Sequence, residues 1–199
     1  MSWGSDCPIL VAMIAGENIA GLGLAVIALS ATAGGAAQQQ LAQLSHALGR
    51  RYALLAVAAI SAIASAALHG WVGQLLTHFL PDEWRATATA MVLILAAVRL
   101  MFASSVQQPA EPTYSLGAMT LVLFARQIAA PPGLVISAAV IGGMALFPAI
   151  IAGAAGSILA FAVAWRIPAM QAANSILSIL RVACAALIVG CAIYIIYFV

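Results

Sequence analysis

The chain has 199 residues, 65% of them apolar and 6% charged, and a mean hydropathy of +1.14. Soluble domains devote about a quarter of their residues to charge, so a chain this poor in charge could not coat its own surface, and lipid must be the solvent for much of it. A net charge of +2, carried by scattered arginines with no lysine, forms no basic stripe and accompanies no nucleic-acid motif, which excludes a nucleic-acid partner.

A spanning helix needs roughly 20 mostly apolar residues. Six segments meet that need: Pro8–Ala31, Tyr52–Gly70, Ala86–Ala103, Ser115–Ala138, Gly143–Trp165 and Ser175–Phe198. They are too long and too uniformly apolar for barrel strands, which alternate. Asp6, rather than a basic residue, precedes the first run, so that segment is expected to stay as a span and not to leave as a signal peptide. Residues Ala36–Arg51 are polar enough to leave the bilayer as a short amphipathic helix, and Trp71–Arg85, with His78, Pro81, Asp82 and Glu83, suits an interfacial loop. Ser104–Thr113, with two prolines and an acid, is the clearest linker. Within the fourth span, Pro131 removes a backbone donor and disfavours helix before it, predicting a break there and a turn near Gly142–Gly143. Arg50, Arg51 and Arg166 lie on one side of the predicted spans and Arg85 on the other. The positive-inside rule then puts both termini on the non-cytoplasmic side of what is expected to be a bacterial inner membrane.

The linker divides the chain into residues 1–103 and 115–199, with 104–114 between them. The expected fold is an all-α membrane protein of six transmembrane helices arranged as two inverted three-helix repeats. Three spans is an odd number, so two such units in one chain have opposite orientations, as in secondary transporters. The halves share a pattern. Spans two and five are alanine-rich with small residues four apart, as in Ala62–Ala66–Gly70 and Ala149–Gly153–Ser157, and spans three and six end in an apolar run closed by an aromatic.

This layout resembles the six-span family typified by the Golgi calcium/manganese–proton antiporters, within the LysE-type transporter group. Each repeat of that family opens with a helix bearing an E-x-G-D-[KR]-[ST] signature. The nearest stretches here are Ile14–Ala15–Gly16–Glu17–Asn18 and Leu123–Phe124–Ala125–Arg126–Gln127. Gly16 and Glu17 stand at the G-D positions, with Ile14 in place of the first acid and Asn18 in place of the base, while the second stretch keeps only Arg126 and Gln127 at the basic end. The resemblance implies exchange of a divalent cation for protons, with Glu17 as the metal-binding acid. An exporter of a small polar or zwitterionic solute, or a non-transporting membrane subunit, are the alternatives.

Glu17 and Arg126 are the charges furthest from any predicted membrane surface, where a charge costs roughly 2.5–3.5 kcal/mol and usually has a partner. They are expected to approach each other between the repeats, with Asn18 and Gln127 orienting them or lining a cavity, or else to pin two helices as a fixed ion pair. Ser61, Ser65 and His69 share one helical face and form a candidate proton relay, or a packing stripe ending in an interfacial histidine. Arg99 and Arg181 are expected to snorkel to the headgroups; His46 and His78 read as surface residues. Cys184 and Cys191 suit a helix face better than a bridge. No enzyme motif and no cofactor-binding pattern occurs. The expected partners are the lipid bilayer and either a divalent cation and proton or a small solute, with a homo-oligomer open.

Overall fold

In hydrocarbon a backbone amide finds no partner except within its own segment, and a helix satisfies that demand internally. The computed structural model describes residues 21–32, 35–47, 52–102, 116–166 and 174–198. Eight helices account for nearly all of these: α1 (Gly21–Thr32), α2 (Ala36–Ala47), α3 (Tyr52–Phe79), α4 (Asp82–Met101), α5 (Leu116–Ile128), α6 (Pro131–Ile141), α7 (Leu146–Arg166) and α8 (Asn174–Phe198). No strand occurs among the described residues.

Helices α3, α4 and α7, of 28, 20 and 21 residues, are long and apolar enough to cross a membrane. α5 and α6 meet at a bend of 54° and pass the same test together as one broken span. α1 and the Arg181–Tyr197 part of α8 are apolar and shorter. The outer surface carries large apolar side chains, among them Trp71, Phe79, Met101, Leu121, Phe147 and Leu187. In water such a surface would aggregate; in lipid it is the solvated face. The architecture is that of an all-helical membrane protein with three spans, or four counting the bent pair.

Two connections depart from expectation, one by being helical and one by its place in the bundle. Trp71–Phe79 continues α3, because nothing between Gly70 and Pro81 forbids helix, and the link to α4 shrinks to Leu80–Pro81. The glycines in this stretch admit neighbours: a Cβ on Gly73 would lie 2.8 Å from the Ser137 carbonyl oxygen, and one on Gly70 would meet Ile150 and Leu146. α4 then opens with Asp82 and Glu83, acids that suit the positive end of a helix dipole. Arg85 binds Asp82 at 3.0 Å and donates to the Thr77 carbonyl at 3.1 Å, clasping the two helices near their joint.

The second departure is α2. The AAQQQLAQ stretch is a helix, as its polarity suggested, but it docks in the bundle against α7, α3 and α5, with Ala37, Gln38, Gln40 and Leu41 buried. Its glutamines are tolerated inside because neighbouring helices offer acceptors: Gln38 Nε2 donates to the Ala160 carbonyl at 2.6 Å.

Contacts along the bundle set the helix directions. α5 and α6 follow α3 in parallel. Met119 and Leu123 share a core cluster with Leu54, Ala58 and Ala62; further along, Gly133 abuts His69 and the Ser137 carbonyl abuts Gly73. α1 and α2 follow α7 in the same way. Gly21 lies beside Met144, Gly156 beside Ala25 and Leu29, Thr32 Oγ1 is 3.4 Å from Ser157 Oγ, and Gln38 reaches Ala160. α4 packs on α8 and α6, and α8 meets α1 where Ser30 Oγ lies 3.2 Å from Cys184 Sγ. Cys184 is buried, Cys191 is exposed, and both are free thiols, as their spacing suggested. The small residues expected to pack closely do so: Ala62, Ala66 and Gly70 on α3, and Ala149, Gly153 and Ser157 on α7, are all buried.

Candidate solute site

The site begins with the break between α5 and α6. Pro131 and Pro132 occupy the first positions of α6, where a missing N–H is least costly, and Ala130 before them is extended at φ −82°, ψ 148°. α5 therefore stops at Ile128 and leaves carbonyls without helical donors. Arg99, reaching over from α4, donates Nη1 to the Ala129 carbonyl at 3.0 Å. A cation at a helix C-terminus satisfies both the free carbonyl and the negative end of the dipole. A second break separates α1 from α2, where the Gly35 amide donates to the Thr32 carbonyl at 2.9 Å and the Thr32 hydroxyl to the Ala28 carbonyl at 2.6 Å.

Both breaks open onto one cavity of about 230 Å³, where a single water requires roughly 10–15 Å³. All eight helices contribute to its lining. Three of the contributors are arginines, Arg99, Arg126 and Arg181, and Thr32, Gln38, Ser65, Gln127 and Ser157 add polar groups. No aspartate or glutamate lines it among the described residues. Gln127 is only 6% exposed, and its Nε2 has no hydrogen-bond partner among the described residues. A buried amide left unpaired costs about 1–3 kcal/mol, so this donor calls for a partner beyond the described residues.

The predicted residues divide as follows. Arg126 and Gln127 stand together at the cavity, on the last turn of α5. Glu17 and Asn18, including the expected Glu17–Arg126 approach, lie outside the described residues. Ser61, Ser65 and His69 share the buried face of α3, and of these only Ser65 lines the cavity. Ser61 donates to the Ala58 carbonyl at 2.9 Å, and His69 Nδ1 lies 2.9 Å from the Ser65 carbonyl. A carbonyl only accepts, so Nδ1 carries the proton, and both bonds end on backbone rather than linking the stripe side chain to side chain. His69 is packed against Gly133, and its own carbonyl accepts from Ser137 at 2.9 Å, so it fastens α3 to α6. His78 is exposed, as expected, and His46 lies on α2 rather than in a loop. No cluster of three or more His, Cys, Asp or Glu side chains suited to a metal occurs among the described residues.

Arg99 and Arg181 both line the cavity, Arg99 with its side chain exposed and Arg181 half-buried. The carbonyl freed at the α5–α6 break gives Arg99 an acceptor there. For Arg181 the signal lay in its depth: it stands about two turns past the first residue of α8, further than an end-anchoring arginine needs to be.

Comparison of the chain with protein-family models, curated proteins and solved structures finds no match.

Proposed function

We propose that the protein is an integral membrane transporter of six spans, built from two inverted halves, α1–α4 and α5–α8, that hold a small polar solute between them. Each half opens with a broken helix followed by two long ones. Exchanging the halves maps the packing of α5 and α6 along α3 onto that of α1 and α2 along α7 and leaves the α3–α7 and α4–α8 contacts in place, while the α4–α6 contact has no counterpart of like extent between α8 and α2 among the described residues. Such an exchange is expected of repeats related by a two-fold axis in the membrane plane, whose solute site forms at broken helices near the midplane.

The observation that carries the reading is the cavity itself, which opens at both breaks and holds a Gln127 donor without a partner among the described residues. A divalent cation demands several oxygen ligands, usually including carboxylates, and the described lining supplies no carboxylate. Among the transporters the layout resembles, a LysE-type solute exporter therefore fits better than a cation–proton antiporter. Cation exchange through Glu17 is the second reading, and the resemblance of the layout favours it.

Reconstitution into proteoliposomes tests both. Under a pH gradient, a small polar solute is expected to show saturable flux that falls at least tenfold in Arg126→Gln, at normal folded yield. Flux of manganese or calcium that is abolished by Glu17→Gln and untouched by Arg126→Gln would select the antiporter. Absence of flux for solutes and cations alike would remove transport altogether.

A further inference from the structure

We infer that the cavity is an oxyanion site, built for a small water-soluble carboxylate or inorganic oxyanion. The inference rests on reading the cavity as the solute site and adds the chemical class of what occupies it.

The charge balance comes first. Arg99, Arg126 and Arg181 line one cavity, and a guanidinium stays protonated at any physiological pH. The chain has five acids in all, Asp6, Glu17, Asp82, Glu83 and Glu111. Asp82 and Glu83 are exposed in the first turn of α4, Asp6 precedes the first apolar run, and Glu111 stands in the 104–114 linker. Glu17 is the one acid whose sequence position puts it within the apolar segments. With Glu17 fully ionised and beside the cavity, three guanidinium charges against one carboxylate would still leave an excess of two positive charges. Arg99 is exposed and Arg126 and Arg181 are half-buried where they line the cavity; like charges gathered on one cleft focus their field into it, and the counter-ion their sign selects is an anion.

The donors agree with the charge. Gln127 Nε2, buried and without a partner among the described residues, is an N–H donor adjacent in sequence to Arg126. Both half-helices that start at the breaks present their N-terminal ends to the cavity: Ala37 and Gln38 of α2, Pro132 and Gly133 of α6. α6 contributes its dipole alone, since Pro131 and Pro132 have no N–H and Gly133 donates to the Ala130 carbonyl. The N-terminal end of a helix carries roughly half a positive charge and favours anions. Of the lining arginines, Arg99 spends one N–H on the Ala129 carbonyl and retains further donors in its five-donor fork. Planar guanidinium groups pair with carboxylates and tetrahedral oxyanions in two-point contacts that a monatomic anion cannot match. The distribution of lining residues over all eight helices favours a soluble ion over a lipid headgroup.

Titration calorimetry on the full-length protein in detergent tests the assignment, with sulfate, inorganic phosphate and succinate as probes, and chloride and manganese as controls. At least one oxyanion is expected to bind saturably, in competition with the others and unaffected by chloride at equal ionic strength. Arg126→Gln is expected to weaken binding at least tenfold and Arg126→Lys by less, since lysine keeps the charge and loses the fork. Should Arg126→Gln fail to fold, Gln127→Leu, which removes an unpaired donor, carries the test with an expected loss of about threefold or more. Saturable binding of manganese alone, or oxyanion binding equal in wild type and the folded variants, would overturn the inference. So would binding of phosphatidylglycerol in nanodiscs that sulfate does not displace. Oxyanion binding without flux in proteoliposomes would leave the site standing and remove the transport reading. Flux of a cation, with no oxyanion bound, would do the reverse.

Discussion

Where α1 crosses α7, Gly156 faces the backbone of its neighbour: a Cβ there would run into the Ala25 carbonyl oxygen and the Leu29 nitrogen. One turn earlier, Gly153 faces the far end of the Ile136 side chain instead. The two glycines look alike in sequence and differ in what must yield. Gly156→Ala requires two helices to separate and is expected to cost about 1–3 kcal/mol. Gly153→Ala requires only a rotamer change in Ile136, worth about 0.5–1.5 kcal/mol. Thermal or SDS-induced unfolding of the purified variants should rank them in that order; equal losses would mean that the α1–α7 crossing is looser than described. The small-residue spacing on α7 was legible in the sequence because i, i+4 periodicity maps directly onto one helix face. Which neighbour each glycine admits was not, since that depends on how separate helices pack, for Gly156 on one more than a hundred residues away. The same limit applies to the arginines. Arg126 and Gln127 stood out by their isolation, but Arg99 and Arg181 became cavity residues only through a carbonyl and a packing arrangement that no local pattern encodes.

At the scale of elements, the α5–α6 break links local chemistry to the site. Two prolines, read directly from the sequence, halt α5, free the Ala129 carbonyl for Arg99, and aim the start of α6 at the cavity. Replacing both Pro131 and Pro132 by alanine restores two amide donors and removes the bias against helix at Ala130. The 54° bend is then expected to straighten, with folded yield maintained and solute flux reduced at least tenfold. A double variant that transports at the wild-type rate would show that the break is dispensable. The opposite misreading came from α2. Its glutamines lower its hydropathy enough to suggest a surface helix, yet inside a bundle a buried glutamine can find a carbonyl, as Gln38 does. Hydropathy measures transfer of a side chain to hydrocarbon, and a polar side chain paired within protein does not incur that cost. The overlong α3 has a related origin: helix continues through polar residues until a proline or a turn stops it, so the span edges marked by hydropathy fell short of the helix end at Phe79.

For the whole molecule, the decisive question is whether the bent pair crosses the membrane or turns back. The contacts favour crossing. Met119 and Leu123 belong with Leu54 and Ala58 near the start of α3, whereas Gly142 lies 3.5 Å, from a built Cβ, from the methyl of Thr89 in the first half of α4. The turn at Gly142–Gly143, which Gly143 makes with φ +101°, is thereby near the same end of the bundle as the Leu80–Pro81 joint. If the bent pair crosses, α7 runs opposite to α3, which is the relation the proposed inverted halves require. Impermeant maleimide labelling tests it in a background lacking Cys7, Cys184 and Cys191. Single cysteines at Glu83 and Gly143 are expected to react from one side of the membrane, and one at Gln108 in the linker from the other. Reaction of Gly143→Cys from the same side as Gln108→Cys would make α5–α6 a re-entrant loop and dissolve the inverted repeat. The arginine bias adds that Glu83→Cys and Gly143→Cys are reached from the non-cytoplasmic side. If the pairing holds and the side is reversed, only that orientation falls, because the proposed inverted halves depend on relative direction alone.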